Sequence, residues 1–209
     1  MMATNARSLT FSDLRNRFGV RLNSDDAFFA RWLDETPSLT EAEELGLERL
    51  KRNYEYISQE DSPLEEVVKL VVVSPLLDLA GFYQPPFLIK TEVGTTLDIP
   101  DDPDNSPIQG RIDVLVVQER LWVLVIESKP ARLDVTVGIP QALTYLLSSP
   151  TAQSTLYSMV TNGREVLFLK LDRSTTPPQY SRSTTYRLLE NSIERSEILR
   201  GLRYIGALM

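Results

Sequence analysis

The apolar positions of the chain are densest between residues 110 and 130, where the sequence reads GRIDVLVVQERLWVLVIESKP. Two runs of β-branched and aromatic residues, at 112–117 and 122–126, flank a polar stretch at 118–120, and this pattern predicts a β-hairpin. Both runs are apolar at consecutive positions, which is typical of strands buried on both faces. We therefore expect the two strands to lie in the centre of a sheet that is covered by helices.

Further strands and helices are predicted on both sides of this hairpin. Strands are expected at residues 87–93, 154–160 and 165–171, and the Asn-Gly pair between the last two is a strong hairpin signal. Helices are expected at residues 11–18, 25–34, 40–57, 62–81, 140–149 and 192–209. Thr40 and Glu43 have the spacing of a capping box, and Pro75 should kink or restart the fourth helix. Residues 95–110, rich in Asp and Pro, should form a loop, and residues 173–190 a connector of low order.

The composition excludes several classes of chemistry. The 209 residues include no cysteine and no histidine, so disulfides, thiol nucleophiles, Ser-His triads and His-metal sites are all excluded. Acid–base or metal chemistry is left to carboxylates, lysine and tyrosine. The start of the chain has no secretory apolar core, and the longest apolar run, 67–80, is interrupted by Lys69 and Asp78. We expect a soluble cytoplasmic protein without a membrane partner.

Net charge gives only weak information about a partner. The value of −7 argues against nucleic acid, but residues 1–110 carry 10 Lys+Arg and 20 Asp+Glu, whereas residues 111–209 carry 12 and 9. The acidic excess therefore lies outside the half that contains most of the hairpin.

Three charged residues, Asp113, Glu127 and Lys129, interrupt the apolar hairpin. Burying a charge without a partner is costly, so their position calls for an explanation. Glu127 and Lys129 are two residues apart and share a face of one strand. Asp113 joins them only if it pairs opposite Glu127, which requires a loop with an odd number of residues or a bulge; a plain two-residue turn would separate the carboxylates.

If the three side chains converge, their types indicate a metal site. Two neighbouring carboxylates repel each other unless a cation lies between them, and a small set of hard oxygen ligands suits Mg²⁺. Such a metal activates water and stabilises charge on a phosphate oxygen, and Lys129 would orient that water. This set favours metal-assisted phosphodiester hydrolysis.

Other polar residues have a structural and a functional interpretation, and the sequence leaves both open. Glu65 and Glu66 lie in the first turn of the predicted fourth helix, where they either complement the helix dipole or reach the metal. Gln141 and Tyr145 are four residues apart and share a helix face. Arg195, Arg200 and Arg203 in the last helix could contact a phosphate backbone or only solvate the helix.

A helix with an acidic first turn, a strand, a hairpin bearing D…ExK and a helix bearing QxxxY together resemble the PD-(D/E)xK nuclease superfamily. Within it, KLVVVSPLLDLAGF, GRIDVLVV, VIESK, QALTY and MVTNGREVLFLK resemble the N-terminal nuclease domain of type I restriction enzyme motor subunits. The resemblance covers residues 62–171. It implies a restriction-endonuclease-like α/β core: a mixed central sheet of four or five strands flanked by helices, with an added N-terminal helical segment and a C-terminal helix.

The resemblance also implies a role for each candidate residue. Asp113 and Glu127 become metal ligands with the Ser128 carbonyl as a third, and Lys129 becomes the catalytic lysine. Glu66 or Glu65 would be the helix acid, with Gln141 and Tyr145 as the supporting pair. Ile112 stands where the name of the motif places proline, and we expect no motor, helicase or methyltransferase segment, since none lies within these 209 residues.

These observations lead to a set of functional expectations. The domains are residues 1–60 as a helical extension packed on the core, 61–172 as the nuclease-like core, and 173–209 as connector and C-terminal helix. We expect a stand-alone Mg²⁺-dependent deoxyribonuclease of restriction-modification or repair type, with Mn²⁺ as a substitute. DNA is the expected partner, with a second copy of the chain or separate restriction-system subunits as further candidates. The alternatives are a catalytically weak or inactive nucleic-acid-binding or regulatory module, and a scaffold in which the hairpin charges form a buried ion-pair network.

Overall fold

The computed structural model describes residues 4–24, 27–97 and 107–208. The strands in these ranges are β1 Thr4–Asn5, β2 Arg21–Leu22, β3 Phe87–Leu97, β4 Ile108–Gln118, β5 Leu121–Ser128, β6 Thr155–Thr161, β7 Glu165–Asp172, β8 Gln179–Arg182 and β9 Tyr186–Arg187. The α-helices are α1 Phe11–Phe18, α2 Ala27–Glu35, α3 Glu41–Ile57, α4 Glu65–Val68, α5 Ser74–Leu79, α6 Ile139–Leu147 and α7 Ser192–Ala207. Two 3₁₀ helices, Ala6–Ser8 and Val135–Gly138, and one π-helical segment, Lys69–Val73, complete the described elements.

All strands belong to one mixed sheet, which confirms the predicted α/β class. The five long strands lie in the order β3-β4-β5-β6-β7, with β5 and β6 parallel and the other neighbours antiparallel. The sheet is larger than the four or five strands expected. Short strands extend it: β1 pairs with β4, β2 with β8, and both β8 and β9 with β7.

Each face of the sheet packs against its own hydrophobic core. One core joins the sheet to α2, α3, α4, α5 and α7, and includes Trp32, Leu50, Val72 and Leu202. The other joins it to α1 and α6, and includes Leu14, Ile139 and Leu143. The apolar hairpin strands contribute to both cores, as their two-faced pattern predicts. We refer below to these as the first and the second core.

The helix predicted at residues 62–81 is divided into three pieces. Turn α4 begins at Glu65, the π-helical segment follows, and α5 begins at Ser74 with Pro75 in its first turn. Proline has no N–H with which to bond the carbonyl four residues earlier, so the backbone before it relaxes into wider turns. Pro75 thus restarts the helix, one of the two outcomes expected.

One expectation for the C-terminal part of the chain was wrong, and the contacts of the α7 arginines, whose role the sequence left open, can be described. Residues 173–190 are not a connector of low order throughout, because β8 and β9 lie within them and pair with β7. The arginines of α7 are engaged internally: Arg195 bonds Glu48, Arg200 donates to the carbonyl of Thr36, and Arg203 pairs with Glu43. They hold α7 against the preceding helices and their connections.

Two further expectations concern the Asp- and Pro-rich segment and membrane-spanning helices. Most of the Asp- and Pro-rich segment predicted as a loop, residues 98–106, lies outside the described residues. Within the described ranges, no helix combines the length and apolar character needed to span a membrane.

Candidate active site

The register of the β4–β5 hairpin places Asp113 across from Glu127. Gln118 pairs with Leu121, so the turn itself has two residues, but the register shifts by one between Val116 and Val117. Val114 consequently pairs with Ile126, and the next positions along the two strands are Asp113 and Glu127. The bulge that the sequence argument required is therefore present, and it turns both carboxylates toward the same face of the sheet.

The site lies at a gap in the pairing of β4. On one edge β4 pairs with β3 over nearly its whole length. The other edge is divided: β1 pairs only with Ile108 and Gln109, and β5 only with residues from Val114 onward. Residues 110–113 between them have no strand neighbour on that edge among the described residues, so their backbone and side chains are available to other groups.

Asp113 fills part of this gap with its carboxylate. Its Oδ2 accepts hydrogen bonds from the backbone N–H and the hydroxyl of Ser128, both at 2.7 Å, in place of a ladder bond. Its Oδ1 lies 3.7 Å from Nζ of Lys69. The side chain is 2% exposed. Ser128, predicted to contribute a carbonyl to a metal, is thus also the residue that orients Asp113.

A continuous series of hydrogen bonds runs from Glu127 to the backbone of β4. Lys129 Nζ donates to Glu127 Oε1 at 2.5 Å and to Gln141 Oε1 at 2.6 Å. The Gln141 amide then donates to the Tyr145 hydroxyl at 2.6 Å, and that hydroxyl donates to the Arg111 carbonyl at 2.9 Å. The predicted QxxxY pair on α6 therefore fixes the lysine rather than lying at the surface.

Two glycines allow α6 and its preceding 3₁₀ helix to approach this closely. A Cβ atom on Gly110 would lie 2.5 Å from Cε1 of Tyr145, and one on Gly138 would lie 2.6 Å from Cγ1 of Val160 and 3.2 Å from Cε of Lys129. Side chains at these two positions would displace the tyrosine and the lysine stem. The close approach is part of how the site is built.

Burial raises the pKa of two groups in this series of hydrogen bonds. Glu127 is fully buried, and desolvation, reinforced by the charge of Asp113, raises its pKa to about 8, although Lys129 opposes the shift. Burial likewise raises the pKa of Tyr145 to about 12, with the charge of Glu127 adding to the effect. Strongly perturbed groups that share one cluster are a feature of functional sites.

The structure distinguishes the two candidate glutamates of α4. Burial raises the pKa of Glu65, and the charge of Asp113 raises it further, so the two carboxyls lie close together. Glu66 is exposed. Arg7, in the first 3₁₀ helix, donates to Glu65 at 3.2 Å. Burial would lower the pKa of Arg7, but Glu65, Glu127 and Asp113 together raise it.

A second group of charges lies beside Asp113 and was not predicted. Lys69 in the π-helical segment bonds Glu92 at 3.0 Å, and Arg111 lies 3.6 Å from the same carboxylate. Glu92 has a φ of 53°, an unusual conformation for a residue other than glycine. Lys69 could have been found, because it follows Glu65 by four residues on a helix and interrupts an apolar run. Neither Arg7 nor Glu92 has a comparable local signal.

A cavity of about 420 Å³ opens beside these residues. Arg7, Glu92, Arg111 and Tyr145 line it, together with Asn5, Gln109 and Gly110. It borders the gap in the edge of β4 where the site lies. Asp113, Glu127 and Lys129 are not among the lining residues of this cavity, and Tyr145 and Arg111 connect it to the site through the hydrogen bonds described above.

The residues present fit a divalent cation in one specific respect. Oε2 of Glu127 is buried and has no hydrogen-bond partner among the described residues, an arrangement that is costly unless something else neutralises it. Within the described part of the chain no group of three or more His, Cys, Asp or Glu side chains is arranged to hold a metal. Asp113 and Glu127 are two carboxylates on the same face of the sheet, and a pair of hard oxygen ligands would suit Mg²⁺ because this ion retains several waters.

Comparison with known proteins finds distant structural similarity. No family model and no curated protein matches the chain. A fragment described as an HsdR subunit of a type I restriction enzyme from Vibrio vulnificus YJ016 is similar with a TM-score of 0.40 and 23% identity, over 68% of this chain and 26% of that one. The protein SSO0001 is similar with a TM-score of 0.28 and 19% identity, over 72% and 78%. The chain thus spans about a quarter of the length of the Vibrio vulnificus fragment, and TM-scores this low assign no function to it.

Proposed function

We propose that the chain is a Mg²⁺-dependent deoxyribonuclease of restriction or repair type. The observation that carries the proposal is the convergence of Asp113, Glu127 and Lys129 at one gap in the sheet, with an unpartnered oxygen on Glu127. This is the combination that the D…ExK resemblance assigns to nucleases.

In the proposed reaction Asp113 and Glu127 would hold Mg²⁺. Bound there, the ion lowers the pKa of water and stabilises negative charge on a phosphate oxygen. Lys129 has three N–H donors and gives two of them to Glu127 and Gln141, so the third remains for the attacking water or the phosphate. Gln141 and Tyr145 hold the ammonium group in place, which limits the reorganisation needed during reaction.

Cationic groups around the cavity supply attraction for the substrate. Arg7 and Arg111 line the cavity, and their side chains are 58% and 69% exposed. Guanidinium groups form paired hydrogen bonds with phosphates. We propose that these two arginines bind the phosphates that flank the bond to be cleaved, each exchanging part of its contact with Glu65 or Glu92.

A cleavage assay tests the proposal. Purified protein should nick supercoiled plasmid or degrade single-stranded DNA when Mg²⁺ or Mn²⁺ is present, and should be inactive in EDTA. Lys129→Ala should reduce the rate by about 10²–10³-fold, whereas Lys90→Ala, which removes an exposed lysine from β3, should leave it unchanged. Equal activity of the two variants would reject the assigned role of Lys129.

A second measurement separates the metal site from activity. A crystal soaked in Mn²⁺ should show anomalous density between Asp113 and Glu127. Absence of density, with no metal-dependent cleavage, would favour the alternative of a nucleic-acid-binding module without catalysis. That alternative is supported by the burial of the site, because Asp113, Glu127 and Lys129 are 2%, 0% and 7% exposed.

A further inference from the structure

A second cavity, of about 610 Å³, lies between α1, β2 and β8. Three arginines, two aromatic residues and an exposed leucine line it: Arg15, Arg21, Arg182, Phe11, Tyr180 and Leu22. We call this cavity the arginine groove. None of its lining residues belongs to the carboxylate site, so it needs an explanation of its own.

The arginine groove is positively charged although the chain carries a net charge of −7. Arg15, Arg21 and Arg182 are exposed, and none of them forms an ion pair with a described residue. No described Asp or Glu lines the cavity. Burial raises the pKa of Tyr180, and Arg182 and Arg15 both oppose that shift, so the two guanidinium groups act on the same hydroxyl. A cluster of cations with no described carboxylate beside it is complementary to a polyanion.

The apolar residues of the groove narrow the choice of polyanion. Phe11 is 42% exposed and Leu22 is 51% exposed, while Leu14 and Val20 form a buried floor. Duplex DNA presents mainly phosphates to such a surface, and its bases are already stacked on one another. Unpaired bases, in contrast, stack on exposed aromatic side chains beside a basic track. Arginines with an exposed phenylalanine therefore favour a single strand.

The position of the groove relates it to the carboxylate site. Leu14, Val20 and the partly buried Tyr180 belong to the second core, on the face of the sheet that α6 covers. α1 follows closely after the 3₁₀ helix that carries Arg7, and its eight residues span about 12 Å. A single strand that lies along α1 would cover that length with a few nucleotides.

We propose that the arginine groove binds a single-stranded segment of DNA on the face of the sheet that α6 covers. The identity of the polyanion rests on the proposed function, but the binding itself does not depend on catalysis. Arg15, Arg21 and Arg182 would contact successive phosphates, and Phe11 would stack on a base. The carboxylate site and the groove would then hold one strand at two points.

Binding of a fluorescent oligothymidylate in EDTA tests this proposal, because EDTA prevents cleavage. The triple variant Arg15→Gln/Arg21→Gln/Arg182→Gln should bind at least about tenfold more weakly, and the slope of log K against log salt should fall by about 2, since each phosphate contact to a single strand contributes about 0.7. Phe11→Ala should weaken binding several-fold. The matched control Arg49→Gln/Arg52→Gln/Arg120→Gln removes the same charge from exposed positions elsewhere and should bind like the wild type.

The outcomes distinguish this proposal from the nuclease proposal. If the two triple variants weakened oligonucleotide binding equally, or if Phe11→Ala had no effect on it, the proposal that the groove binds DNA would be rejected. Bis(p-nitrophenyl) phosphate is a small diester whose hydrolysis with Mn²⁺ would depend on the carboxylate site and not on the groove. The groove variants should therefore hydrolyse it at the wild-type rate. A wild-type protein that binds the oligonucleotide through the groove but hydrolyses neither DNA nor this small diester would support the groove and reject the nuclease.

Discussion

Two ion pairs of this protein, each with a buried cation, differ in how completely their polar atoms are satisfied. In the C-terminal region, Arg195 is 3% exposed, and it donates to Glu48 and to the carbonyls of Leu188 and Leu189. In the carboxylate site, Lys129 is paired with Glu127, whose second oxygen has no partner among the described residues. The first pair lies partly at the surface, because the side chain of Glu48 is 46% exposed, whereas Glu127 is fully buried.

This difference in hydrogen-bond satisfaction indicates different roles for the two ion pairs. A buried charge destabilises a protein unless its hydrogen-bonding capacity is used, and the arginine pair meets this condition within the protein. The lysine pair does not, and the carboxyl of Glu127 is left with a raised pKa. We infer that the first pair is structural and propose that a cation completes the second.

The largest expected difference is in DNA cleavage by two matched charge-removing variants. Glu127→Gln and Glu48→Gln both replace a paired carboxylate with an amide of similar shape. Glu127→Gln should reduce the cleavage rate by about 10³-fold or more, because it removes a proposed metal ligand. Glu48→Gln should leave the rate per folded molecule unchanged. Initial rates of plasmid nicking in Mg²⁺, corrected for the folded fraction by circular dichroism, measure the cleavage rate of both variants. If the two variants lost the same amount of activity, the loss could not be assigned to a metal ligand at Glu127.

The pH dependence of stability should also separate the two regions. In the metal-free protein the pKa of Glu127 rises from 4.5 to about 8 on folding, so the folded state binds this proton more tightly. The free energy of unfolding should therefore fall as pH rises through this interval and level off above it, by a total on the order of 3–5 kcal/mol. Urea denaturation in EDTA at several pH values measures the slope. Glu127→Gln should remove it and Glu48→Gln should retain it; a persisting slope in Glu127→Gln would assign it to other groups.

The sequence predicts those parts of the fold that depend on local signals. The helix predicted at residues 11–18 has the same bounds in the structure, and Thr40 and Glu43 form the expected capping box. The short strands could not be predicted in this way, because two residues such as Thr4 and Asn5 show no alternation and become a strand only by pairing with β4. For the same reason the sheet is larger than the hydrophobic pattern suggests.

The candidate site was predictable in its residue types but not in its surroundings. Asp113, Glu127 and Lys129 are conspicuous because they are charges within apolar strands. Their convergence depends on a bulge between Val116 and Val117, for which the sequence gives no local signal. Arg7 reaches the site through the tertiary fold, because β1 and its 3₁₀ helix pack beside β4, and no pattern in the first ten residues indicates this.

A smaller effect, on stability rather than on cleavage, is expected when the ion pair of Arg195 and Glu48 loses its arginine. Arg195→Met retains much of the side-chain volume but leaves the carbonyls of Leu188 and Leu189 without their donor. Buried carbonyls that lose a charged donor destabilise the folded state, here by about 2–4 kcal/mol, since Glu48 can be solvated. Thermal and urea denaturation measure the loss. The cleavage rate per folded molecule should stay at the wild-type value, and a specific fall in that rate would contradict a purely structural role.

The smallest effects are expected from substitutions of two buried tyrosines, one in the core on each side of the sheet. Burial raises the pKa of both Tyr145 and Tyr157 to about 12, but only the Tyr145 hydroxyl is hydrogen-bonded to described residues, Gln141 and the carbonyl of Arg111. Tyr145→Phe should destabilise the protein by about 1–2 kcal/mol and lower the cleavage rate about tenfold, because Gln141 then holds Lys129 less firmly. Tyr157→Phe keeps the ring stacked on Phe28 and should change stability by less than about 0.5 kcal/mol, with no change in rate. If both variants lost stability equally while cleavage was unaffected, the bonds from Lys129 to the backbone of β4 would serve the fold alone.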